Sequence, residues 1–216
     1  MLRCQGASAA APIGLAAMSN LDLILTRQSP LSLRAPGPDG SALQAMLATA
    51  MSGPDHGKLK PWRFIVIDGE GRRALGRVLR DAFSRRAPDA PEALLAREEI
   101  KPLRAPTIVV VVARVQGRKA IPEVEQVIAA GIAAYNILLA AHALGLGGMW
   151  RTGTPAYDPE VRRALRVEAG DMIVGFLYLG TPDVMPRPRE IGELADCVSR
   201  WPQPGSSNGE DARHEP

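Results

Sequence analysis

Three short polar clusters stand beside apolar stretches, and their residue types suit the grip of an anionic ligand. Thr26-Arg27-Gln28-Ser29 ends the first apolar run. Pro54-Asp55-His56-Gly57-Lys58-Leu59-Lys60-Pro61-Trp62 feeds a second, and Trp150-Arg151-Thr152-Gly153 follows a long charge-free segment. A guanidinium offers a planar fork of N–H donors that matches phosphate oxygens, and a nearby hydroxyl adds one more donor. Arg27 and Arg151, with Ser29 and Thr152 beside them, therefore suit a phosphorylated cofactor. Spacing alone leaves the plainer alternative open, since a lone arginine at a helix end more often answers the helix dipole.

Other chemistries find no support. The chain has no G-x-S-x-G, no Ser-x-x-Lys and no Walker loop. Gly145-Leu-Gly-Gly148 follows a helical pattern instead of leading from a strand into a helix, so it reads as a helix C-cap and not as a dinucleotide turn. Cys4 and Cys197 have no partner at C-x-x-C spacing, and His56, His142 and His214 never approach a metal-binding spacing. No metal is expected, and the cysteine usage points to a reducing, cytoplasmic compartment.

The elements that must position these clusters follow from the hydrophobic pattern. Ser19 or Asn20 can cap a helix running to Arg27, and a second helix is expected from Asp39 to Met51, after a loop from Leu31 to Pro38. Trp62 to Asp68 reads as a strand, Arg72 to Arg85 as a charged amphipathic helix, and a short helix follows with Pro91 in its first turn. Thr107 to Ala113 is almost wholly β-branched, the pattern of a strand buried on both faces. Val127 to Trp150 holds no charge, long enough to raise a membrane span. Its Asn136, His142 and glycine-rich end, with basic residues on both flanks, favour a core helix from Glu123 to Leu144, buried on all sides. Gly147 to Trp150 should be extended, Asp158 should cap a short helix, and Met172 to Leu179 closes the set as the last core strand. This order of elements predicts a layered α+β or α/β domain.

With 216 residues, one domain plus tails is the expectation: an N-terminal extension over 1–18, a folded domain over 19–201, and a polar tail over 202–216, both ends being disordered. Met18 stands as a second candidate start. A hydrophobic share of 46% excludes wholesale disorder, and the 4% of aromatics leaves the core to aliphatic residues. The formal charge is +3, with 22 arginines against four lysines, yet no block of like charge marks a nucleic-acid binder.

Taken in order, the clusters resemble the flavin signature of the nitroreductase family, and most nearly its YdjA-like subgroup of NAD(P)H nitroreductases. Arg27-Gln28-Ser29 is similar to the subgroup's Arg-Arg-Ser, and Pro54-Asp55-His56 through Lys60-Pro61-Trp62-Arg63-Phe64 to its Pro-Asp-His loop. Gly147-Gly148-Met149-Trp150-Arg151-Thr152-Gly153 and Val174 to Pro182 match two further motifs, so the likeness runs from Leu21 to Pro182. The resemblance implies a mostly antiparallel sheet flanked by helices, in an intertwined homodimer with FMN at the subunit interface. It implies ping-pong hydride transfer from NAD(P)H to nitroaromatic, quinone or similar acceptors, with no catalytic side chain. By the same resemblance, Arg27, Gln28, Ser29, Trp150, Arg151 and Thr152 surround FMN, and His56 reaches it from the partner subunit. A NAD(P) contact around Ala140 to Gly145 is also implied, although that face reads equally as core. Gln28 and Lys60 depart from the family's arginine and glutamine, and Lys58 stands where it could stabilise reduced flavin. Two alternatives share the resemblance: a flavin-binding module without turnover, and a reductive dehalogenase or desaturase, whose lid would fall in Arg72 to Arg104.

Overall fold

The computed structural model describes residues 19–117, 120–184 and 192–201. The expectations for residues 1–18 and 202–216, and the residues Cys4 and His214, lie outside them.

Five strands form one antiparallel sheet. The central strand β3 (Thr107–Ala113) lies between β2 (Trp62–Ile67) and β5 (Met172–Pro182), as β-branched residues with no polar face require. β5 also pairs with β4 (Gly147–Arg151) along Phe176 to Gly180 and, at its C-terminal end, with β1 (Leu33–Arg34). β1 corrects the expected loop over Leu31 to Pro38: two residues pair with Thr181 and Pro182, too short a strand for any alternation to reveal.

Alternate residues of β3 face opposite layers, as the period of two demands. Ile108, Val110 and Val112 pack with Leu75, Leu79 and Ala82 of helix α3 (Gly69–Arg86) and with Met149, Phe176 and Tyr178. Val109 and Val111 pack with Ala133, Ile137, Leu138 and Ala141 of helix α5 (Glu123–Ala143), and with Met46 of helix α2 (Gly40–Ala50). The result is a helix–sheet–helix sandwich.

Local signals set most boundaries. Ser19 and Asp22 form a capping box on α1 (Asn20–Thr26). The carboxylate of Asp39 caps α2 by accepting from Ala42 N–H, which holds it below the usual carboxylate range. Helix α4 (Glu92–Glu99) follows Pro91, and Asp158 caps α6 (Pro159–Ala164). Gly145, at φ 75°, ends α5, confirming the C-cap reading.

Helix α5 is not buried on all sides. Its core face is covered by sheet and α2, but Val124 and Ile128 are 62% and 55% exposed, and the same stripe continues through Gly131, Tyr135, Leu139 and His142, all partly exposed. The helix is long and apolar enough to cross a membrane, yet eight of its residues are buried in the sandwich.

Candidate functional site

A cleft of about 650 Å³ opens between the α3 face of the sheet and the segment after α4. Its floor is apolar: Leu79, Phe83, Met149, Phe176 and Tyr178. Trp150, Arg151 and Thr152 from the end of β4, Leu31, and Glu98, Lys101 and Arg104 from the end of α4 and the turn after it also line the cleft. Flat apolar ground edged by donors suits a planar ring that carries polar groups.

Glycines make the β4 side possible. A Cβ on Gly175 would stand 2.2 Å from Trp150 Nε1, so only glycine lets the indole lie across β5. The indole N–H donates to the Val174 carbonyl at 3.1 Å, which fixes the ring and leaves its backbone and neighbours to face the cleft. A Cβ on Gly147 would meet Leu33, Pro182 and Pro30 side chains at 2.7 to 3.0 Å. The strap from Arg27 to Leu33 can therefore press against the start of β4, which brings the first and third polar clusters onto adjoining segments.

Arg27 ends that strap over the other side of β4. Its guanidinium lies 5.8 Å from the Tyr135 ring centre on α5, and its Nε is buried with no hydrogen-bond partner among the described residues. A buried N–H with no acceptor is costly, and an anionic oxygen would satisfy it. Gln28 is half-buried and Ser29 exposed beside it. Arg151 is exposed at the cleft, and among the described residues its side-chain hydrogen bond is to the Met149 sulfur at 3.7 Å, which leaves most of its fork open to a ligand. Arg27 is not among the residues lining the cleft; one guanidinium borders the α3 side and the other the α5 side of the sheet.

The middle cluster lies elsewhere. His56 Nδ1 bonds to Glu125 Oε2 at 2.5 Å, in the first turn of α5. Lys58 and Lys60 take left-handed φ values of 52° and 50°, and the Asp55 carboxylate holds the loop by accepting from Leu59 and Lys60 N–H at 3.1 and 2.7 Å. Within one chain this loop joins neither the cleft nor Arg27.

Reading the sequence did not identify Glu98, Lys101 and Arg104. The Arg72 to Arg104 stretch looked like ordinary charged helix, yet its end walls the cleft, where Lys101 pairs with Glu98. Burial pushes the Tyr178 hydroxyl up, with Arg104 and Arg151 opposing and Glu98 adding, so all three charges lie within reach of the cleft floor. No group of His, Cys, Asp and Glu among the described residues could hold a metal.

The nitroreductase family model matches residues 24–181. The chain belongs to the nitroreductase family. It is 41% identical over 167 residues to the "Putative NAD(P)H nitroreductase YdjA" of Escherichia coli K12, covering 77% of this chain and 90% of that one. A similarly named Haemophilus influenzae protein is 34% identical over 76% of this chain and 89% of its own. Among solved structures, a nitroreductase-like protein from Bacillus cereus superposes with TM-score 0.74 at 23% identity, covering 88% of this chain and 98% of its own. A Desulfovibrio desulfuricans nitroreductase homologue solved in complex with FMN gives TM-score 0.65, also at 23% identity, over 84% and 96%. These two likenesses establish the fold, and the antiparallel sheet flanked by helices agrees with it.

Proposed function

We propose that the chain is a cytoplasmic flavin oxidoreductase, holding FMN along β4 and using NAD(P)H to reduce nitroaromatic, quinone or similar electrophilic acceptors in a ping-pong cycle. The observation that carries this reading is the cleft, which sets Leu31, Lys101 and the Trp150-Arg151-Thr152 run around one apolar floor. The named activities of the relatives and the FMN of the Desulfovibrio homologue support it.

Bound FMN would supply the hydride chemistry, so no side chain need act as acid or base. The chain's part is to bind, orient and exclude water. Leu79, Phe83, Met149 and Phe176 offer a dry floor to a flat ring, and Arg151 and Thr152 offer donors at its edge. The strap over Gly147 leads from Leu31 at the cleft to Arg27, whose unpartnered Nε–H would donate to a phosphate oxygen. Lys101, held by Glu98, is the lysine of the cleft, beside Arg104 and Arg151, and would take there the role the family resemblance suggested for Lys58.

The reading includes a homodimer. Helix α5 spans 21 residues, about 31 Å. His56 meets its first turn, whereas Arg27 meets Tyr135 far along it. A second copy crossing antiparallel on the exposed stripe would bring its own His56–Lys58 loop toward Arg27, Gln28 and Ser29. Gly131 lies midway, with no heavy atom within 4 Å of where a Cβ would stand, so a helix can approach there. This arrangement gathers all three clusters, and the exposed Val124 and Ile128 gain a partner.

The test is direct. The purified protein should be yellow and release FMN on denaturation. Stopped-flow mixing with NADPH or NADH should bleach the flavin, and a nitroaromatic or quinone should restore its colour. Colourless protein that refuses added FMN overturns the reading, and bound flavin that no nicotinamide reduces turns it into a binding module.

A further inference from the structure

One cluster beside the strap is not used by the cofactor reading as it stands. His142, in the last turn of α5, meets the Thr26 hydroxyl through Nε2 at 3.0 Å. That hydroxyl has a single proton, and it is donated to the Asp22 carbonyl at 2.6 Å. The Thr26 oxygen must then accept from His142, which puts the ring's proton on Nε2 and leaves Nδ1 as a lone pair. Arg27 is the next residue in the chain, with its Nε buried and unpartnered. The ring beneath it, Tyr135, lies seven residues before His142 and so on the same helix face.

The charges around His142 are few. No charged residue occurs from Val127 to Trp150 or in α2, and the Asp22 carboxylate is turned to Ser19, accepting from its N–H at 3.1 Å and its hydroxyl at 2.7 Å. Among the described residues, Arg27 remains as the charge that bears on the ring. Burial first, and the Arg27 charge second, hold His142 below the ordinary histidine range, so the ring is neutral at pH 7 without a ligand.

We infer that His142 is a titratable member of the phosphate subsite: a phosphate dianion paired with Arg27 draws one proton from solvent onto His142 Nδ1, making cofactor uptake proton-linked. The inference rests on the proposed placement of the FMN phosphate at Arg27. The dianion cancels the guanidinium's repulsion and adds attraction of its own, and the C-terminal end of α5 favours a cation. The nitrogen that takes the proton is the one left without a hydrogen-bond role, so the Thr26 bond survives the change. The sign follows from linkage. The group titrates low in the free protein and higher in the loaded one, so the added affinity is full below the free-protein value. It is lost as pH rises through the loaded-protein value. Each unit of upward movement corresponds to about tenfold in affinity.

The phosphate monoester itself titrates near pH 6, so a pH series of affinity alone would mix two groups. Histidine proton NMR separates them. The His142 signal is assigned by its loss in His142→Gln and its retention in His56→Gln, and is titrated in the free protein, with riboflavin, and with FMN. The expected result is a rise of about one unit or more with FMN and none with riboflavin, which lacks the phosphate. Calorimetry in two buffers of different ionisation enthalpy should show FMN binding to wild type taking up more protons than binding to His142→Gln. FMN bound with an unmoved His142 signal, or equal proton uptake in both proteins, overturns this inference and leaves the cofactor reading intact. Failure of FMN to bind at all overturns both.

Discussion

Gly76→Ala tests whether the wall of the cleft is set by the approach of α4 to α3. A Cβ on Gly76 would stand 2.1 Å from the Glu99 carbonyl oxygen and 3.2 Å from its carbon. An ordinary carbon–oxygen contact is about 3.3 Å or more, so α4 must retreat by about 1 Å at that point. The obstacle is backbone and cannot rotate away, and the clamp of Arg80 on Glu92 at 2.7 Å and Glu99 at 3.5 Å resists the shift. Overpacking of this kind costs about 1–3 kcal/mol, and the gain in helix propensity returns about 1 kcal/mol. The net expectation is a loss of up to about 2 kcal/mol. Gly40→Ala, with no heavy atom within 4 Å of its Cβ, is the matched control and should be neutral to slightly stabilising. Urea denaturation measures both, read as a shift in midpoint at constant m. Because Glu98 and Lys101 flank Glu99 and line the cleft, the same variant should bind flavin more weakly. A Gly76→Ala protein as stable as Gly40→Ala, with flavin affinity unchanged, would refute the reasoning.

Three further outcomes are expected. Arg27→Ala removes a charge-assisted bond of about 1.5–3 kcal/mol, so FMN affinity should fall about tenfold to a hundredfold while riboflavin affinity, measured by the same fluorescence titration, stays put. Lys101→Met leaves the Glu98 carboxylate, 13% exposed, unpaired in the cleft and should lower the flavin midpoint potential by about 30 mV in dye-equilibrated titrations; an unchanged midpoint in Lys58→Ala would remove Lys58 from the flavin's neighbourhood. Ile128→Glu puts a charge on the exposed α5 stripe without touching the core, and light scattering should report a monomer that has lost its flavin; a dimer that keeps it would exclude α5 as the interface.

Much of this was readable from residues alone, wherever the cause is local. The run Thr107 to Ala113 can only be a strand covered on both faces, and Asp158 caps the helix its spacing announces. Ser19 takes the cap the sequence left to Ser19 or Asn20, while Asp39, read as the first helical residue, is the cap before that helix. The three polar clusters carry the family signature because each is a contiguous stretch whose chemistry does not depend on what it meets. Tertiary packing decided the rest. β1 exists through its pairing with Thr181 and Pro182, and Glu98, Lys101 and Arg104 became a wall because Gly76 lets α4 approach. The charge-free run of α5 gave no sign that one stripe would stay uncovered, since composition reports how apolar a helix is and not how many neighbours it finds. The proton placement on His142 came from a bond between residues 116 positions apart. Such pairings are fixed by the sum of many long-range contacts, and no short pattern in the chain encodes them.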